Sequence, residues 1–138
     1  MIQLKKITQL TIALSAICLF SVKASAQESP TYSKDIAPIL QAKCAYCHNP
    51  EGIGPMPLMT YDQVRPFATL IHDRTSKRIM PPWHVDPGIG IQQFKNDASL
   101  SDVQIDTIEA WFEAGAPEGN PADLPAPIEF PSLSLIHI

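Results

Sequence analysis

Residues 33–48, SKDIAPILQAKCAYCH, decide how this chain folds and what it carries. Ser33 reads as an N-cap, and Ile36, Ile39 and Leu40 recur at helical spacing, so a first helix is expected to run into Cys44. Pro38 has no N–H to bond back one turn, so this helix either starts in a tight turn or bends there. It delivers Cys44-Ala45-Tyr46-Cys47-His48, a C-x-x-C-H pattern. Two thiols one helical turn apart can each add to one vinyl group of a haem, and the imidazole that follows then lies under the iron. The vinyl groups sit on adjacent pyrroles, which sets the cysteine spacing, and His48 directly after the second cysteine reaches the metal from one face.

Rival uses of the pair fit less well. An exported chain could oxidise Cys44 and Cys47 to a disulfide. A structural zinc site wants four ligands, yet no further cysteine follows, and His72 and His84 stand alone. A thioredoxin-like pair needs a βαβ context that this proline-rich sequence does not offer. Covalent haem c, tethered by Cys44 and Cys47 with His48 on the iron, is the reading the residues favour.

Outward from the motif, residues 49–58, NPEGIGPMPL, hold three prolines and two glycines and are expected to be loop. Thr60 with Gln63 reads as a capping box before a second helix over about 61–74, with Val64, Phe67, Ala68 and Ile71 on one apolar face and Pro66 early within it. RIMPPWHVDPG, residues 78–88, is held extended by Pro81, Pro82 and Pro87. Ser101 with Gln104 caps a third helix whose stripe is Val103, Ile105, Ile108, Trp111 and Phe112, stopped by Gly115 and Pro117. Its acids, Asp102, Asp106, Glu109 and Glu113, fall on the outer face. The expected fold is all-α: three to four short helices and proline-rich loops around one haem, with Trp111 packing the last helix on Ile36, Ile39 and Leu40.

The 138 residues leave room for one small domain, about 31–120, followed by a proline-rich linker or the start of another domain over 121–132. Residues 1–26 read as a signal peptide: Lys5-Lys6, an apolar run from Ile7 to Val22 that takes Cys18 with it, and the Ala24-Ser25-Ala26 cleavage site. The run is shorter than the ~20 residues a span needs, so no stable membrane insertion is expected after cleavage. The location implied is periplasmic or secreted. Beyond residue 26, seven positive side chains face fourteen negative ones, which argues against a nucleic-acid partner. Residues 133–138 match the translation of a common sequencing-adapter end and are read as a scar, so the natural chain is expected to continue.

CAYCH after SKDIAPILQAK, then MPPWH, then LSDVQIDTIEAWFEAGAPEG together resemble a class I type monohaem cytochrome c domain over about residues 31–120. The resemblance implies that the helix entering the haem motif crosses the last helix, and that a methionine from the second half completes the iron's coordination. Met80 matches the family's Met-Pro pairing, and a thioether on a backbone stiffened by Pro81 and Pro82 is presented at little entropic cost. Met56 and Met59, close behind His48, and His84 or His72 are the competitors, as is an open site. Trp83 either packs in the pocket or donates its N–H to a haem propionate. The MPPWH variant is similar to cytochrome modules that bacteria fuse to copper monooxygenase-like and thioredoxin-like domains.

His48 and Met80 would leave the iron no place for substrate, so the expected role is single-electron transfer to a redox partner protein or fused redox domain, with no catalytic residue of its own. Two alternatives stand beside it. The chain could be the electron-feeding haem module of a larger exported oxidoreductase, or, with Met80 off the iron, a gas-binding sensor.

Overall fold

Thr31, not Ser33, stands at the start of the first helix. Its N–H is taken by the Asp35 carboxylate at 2.8 Å, and Ser33 is fully buried instead of capping. The computed structural model describes residues 28–83, 85–86, 88–90 and 94–130; the segment read as a signal peptide (1–26), His84, Pro87 and the end read as a scar (133–138) lie outside the described residues. The chain opens with a π-helical turn, Tyr32–Ile36, that runs into helix α1, Ala37–Lys43. This resolves the difficulty posed by Pro38. The wide turn lets the Ala37 N–H reach the Tyr32 carbonyl, and proline then occupies the first positions of the α-helix, where no backbone donor is needed.

The expected second helix divides at Pro66. Helix α2, Tyr61–Val64, passes through a 3₁₀ turn, Arg65–Phe67, into helix α3, Ala68–Ser76. Thr60 accepts from Gln63 N–H at 3.4 Å, but the Gln63 side chain reaches back to the Met59 N–H at 3.0 Å, one residue beyond the reciprocal capping box. Val64, Ala68 and Ile71 are buried, as their spacing predicts. Helix α4, Asp102–Glu113, has the full box: Ser101 accepts from Gln104 N–H and Gln104 accepts from Ser101 N–H at 3.0 Å. It ends where Gly115 takes a left-handed φ of +87°. One residue of its predicted stripe is misplaced, since Val103 in the first turn is 73% exposed. A last 3₁₀ turn covers Pro121–Asp123, and there is no strand among the described residues. The fold is all-α.

Helix α4 packs on α3 and on the π-helical turn. Trp111, fully buried, shares one core with Ile36, Ile39, Leu40, Val64 and Ile108, and its indole N–H donates to the Pro117 carbonyl at 2.9 Å. Between α3 and α4, Arg78 stands at the helix end with a left-handed φ of 53° that ordinarily suits glycine. Its guanidinium donates to the Leu100 carbonyl at 3.1 Å and pairs with Asp102, tying the end of α3 to the start of α4. His72 does not lie on a purely polar face; its ring stacks on Phe112 with centroids 4.6 Å apart, across the α3–α4 contact.

Ser33 carries a buried hydroxyl with no hydrogen-bond partner. Ser33→Ala should therefore hold or raise stability, by up to about 1 kcal/mol, because it removes an orphan group and no contact. Trp111→Ala should cost about 3–5 kcal/mol. Both are read from denaturant unfolding curves, and a loss of stability in Ser33→Ala would contradict the burial of an unpartnered hydroxyl.

Candidate haem-attachment site

The end of α1 unwinds directly into the C-x-x-C-H turn. The N–H groups of Cys44 and Ala45 both return to the Leu40 carbonyl at 2.8 Å, and those of Cys47 and His48 both return to the Cys44 carbonyl, at 3.1 and 2.9 Å. One tight turn of backbone therefore carries Cys44, Cys47 and His48, with Tyr46 facing outward at 77% exposure. Both cysteines are free thiols, and each is half-buried. Burial, with the neighbouring Cys47 as the smaller cause, pushes the Cys44 thiol up to about 11. A dithiol oxidoreductase needs the reverse, a thiol held as the anion near neutral pH. Cys44 is therefore held as the neutral thiol at neutral pH.

The loop 49–58 closes over the turn. Gly54 N–H donates to the Cys47 carbonyl at 2.7 Å, and Leu58 N–H to the His48 carbonyl at 2.9 Å, so Leu58 enters the core. His48 Nδ1 lies 2.9 Å from the Met56 carbonyl. A carbonyl only accepts, so Nδ1 is the donor in this bond, and in the neutral ring Nε2 is the nitrogen left to act as a ligand atom. The same bond speaks against Met56 as the second axial ligand, because it places that residue's backbone at the rear of His48 while its side chain packs against the core. Glycine is required twice here. A Cβ on Gly54 would lie 2.7 Å from His48 Nδ1, and one on Gly52 would collide with the Cys47 carbonyl.

Met80 lies elsewhere. It lines a cavity of about 530 Å³ between the end of α3, the 79–94 segment and the start of α4, together with Pro81, Trp83, Val85 and Phe94. That lining includes none of residues 44–48. Trp83 meets Phe94 edge-on, their rings 5.6 Å apart. The Asp97 carbonyl, on a lining residue, accepts from the Lys43 ammonium at 2.8 Å, so the cavity wall is bonded to the residue just before Cys44. Ile79, Met80, Val85, Ile89 and Phe94 in this segment are all exposed, Ile89 by 73%. Such a run of bare apolar side chains marks a surface that something apolar covers.

The donor set fits a covalent haem. Two unpaired thiols share a turn with an imidazole whose Nδ1 is engaged, and a cavity of mixed polar and apolar lining is joined to the residue before that turn by the Lys43–Asp97 bond. Among the described residues no group of three or more His, Cys, Asp or Glu is brought together. Sequence reasoning missed Asn49, Gly52, Gly54 and the Met56 carbonyl, since these act through backbone geometry and not through a side chain that advertises chemistry. No protein-family model, curated protein or solved structure matches the chain.

Gly54→Ala should displace the His48 ring or the loop and destabilise the protein by about 1–3 kcal/mol. Gly88→Ala, whose Cβ meets only the Asp86 carboxylate at 3.2 Å, is the control that should change little. Denaturant midpoints of the two variants compare them directly.

Proposed function

We propose that the chain is an exported c-type cytochrome domain that passes single electrons to a redox partner protein or fused redox domain. The observation that supports this reading is the bond from His48 Nδ1 to the Met56 carbonyl inside a C-x-x-C-H turn, which orients the imidazole and leaves Nε2 as the nitrogen that could meet a metal. Haem c, when bound, supplies a one-electron iron couple whose potential is higher with a thioether ligand than with two imidazoles.

The chain's own residues would do the rest. Cys44 and Cys47 tether the porphyrin through their sulphurs, and His48 Nε2 faces the iron. Met80 is the proposed second ligand: it lines the cavity beside Trp83 and Phe94 and is followed by Pro81 and Pro82. Trp83, Val85 and Phe94, which share that lining, would supply apolar contacts to the porphyrin. Met80 is 41% exposed, which gives the open-site, gas-binding reading its one point of support.

Protein exported from a bacterium that matures c-type cytochromes should gain the mass of one haem, and a Cys44→Ala/Cys47→Ala variant should gain none. Its oxidised form should show the weak near-infrared sulphur-to-iron band, lost in Met80→Ala with the haem still attached. A bare polypeptide mass from the wild type would overturn the cytochrome reading. A haem-loaded wild type without that band would move the assignment to the open site or to another ligand.

A further inference from the structure

Asn49 follows the motif and is buried, 8% exposed. Its side-chain amide donates to the Ala45 carbonyl at 2.9 Å and to the Tyr46 carbonyl at 3.0 Å, while its oxygen accepts the Glu51 N–H at 2.9 Å. Those two carbonyls belong to the residues that separate the cysteines. In a continuing helix each would be met by the N–H four positions on. For Tyr46 that position is Pro50, which has no N–H. The Asn49 amide replaces the missing donor and closes the turn from the far end, opposite the Cys44 carbonyl that holds Cys47 and His48. If the peptide planes at Ala45 and Tyr46 rotated, Cys47 and His48 would swing relative to Cys44.

We propose that Asn49 is a positioning residue for haem attachment: by holding the carbonyls of Ala45 and Tyr46 it sets the separation of the two thiols and the plane in which His48 meets the iron. The inference rests on the cytochrome reading above and adds to it the element that shapes the attachment turn. The geometry needs asparagine specifically. Aspartate, nearly the same shape, keeps the acceptor for Glu51 but offers two carbonyls no donor, and alanine offers neither.

The test uses the full chain, matured in a bacterium that attaches haem, as wild type, Asn49→Asp, Asn49→Ala, Pro50→Ala and the Asn49→Ala/Pro50→Ala double variant. Mass spectrometry with alkylation of free thiols counts the thioether bonds, and the proton NMR shifts of the haem methyls in the oxidised protein report the orientation of the His48 ring. Asn49→Asp should raise the ratio of incompletely to fully attached protein about tenfold, equivalent to one buried hydrogen bond, and alter the methyl pattern. The double variant should regain part of what Asn49→Ala loses, because residue 50 then has an N–H for the Tyr46 carbonyl. Full attachment with a wild-type methyl pattern in Asn49→Asp would overturn the proposal and leave the cytochrome reading intact, even if the melting temperature fell. Failure of Pro50→Ala to relieve Asn49→Ala would overturn the donor-replacement account. A wild type that carries no haem would instead remove the reading on which the proposal stands.

Discussion

The bond from the His48 ring to the Met56 carbonyl fixes more than one imidazole. It can form only if the proline- and glycine-rich residues 49–56 fold back over the motif, and that return is itself secured by the bonds from Gly54 to Cys47 and from Leu58 to His48. The glycines let the two backbones approach within hydrogen-bonding distance, and the prolines narrow the paths the loop can take. Leu58 then lands in the core beside Val64 and Trp111. The proposed metal-facing side of the molecule and its hydrophobic interior are thus set by the same stretch of chain.

The helices supply a frame for this turn. Helix α1 is short and begins in a π-turn, so it owes its stability to Ile36, Ile39 and Leu40 packing in the core shared with Trp111 more than to its own length. Arg78 holds a backbone conformation unusual for a residue with a Cβ, and its side chain joins two helices that would otherwise meet mainly through α3 and α4 packing. The stack of His72 on Phe112 adds a second tie across the same boundary.

Much of this could be read from the sequence because side-chain spacing carries it. The stripe Ile105, Ile108, Trp111, Phe112, the Ser101–Gln104 box and the grouping of Cys44, Cys47 and His48 all follow from positions along a helix. The departures have a common origin in proline. Pro38 stands in the first turn of α1, just behind a π-turn, and Pro66 lies in a 3₁₀ turn that divides the second helix, each a local rewinding that a search for 3.6-residue periodicity does not register. Ser33 reads as a cap because serine commonly caps, yet the helix starts at Tyr32, and the N–H groups of Tyr32 and Ser33 go to the Pro117 and Glu118 carbonyls. Val103 fell on the stripe by count and in the first turn by position, where the core does not reach. Asn49 was silent, since its importance depends on which carbonyls lack donors, and that is known only once the turn is drawn.

The two ends of the helical domain are fastened to one another. The N–H groups of Tyr32 and Ser33 donate to the carbonyls of Pro117 and Glu118 at 2.9 Å each, and the Trp111 indole shares the first of these acceptors. Polypeptide entering before Thr31 and leaving after Gly119 therefore departs from a single corner of the fold. A unit built this way can be spliced into a longer chain like a bead on a loop of thread, with neighbours on either side brought close to each other and the helices between them left undisturbed.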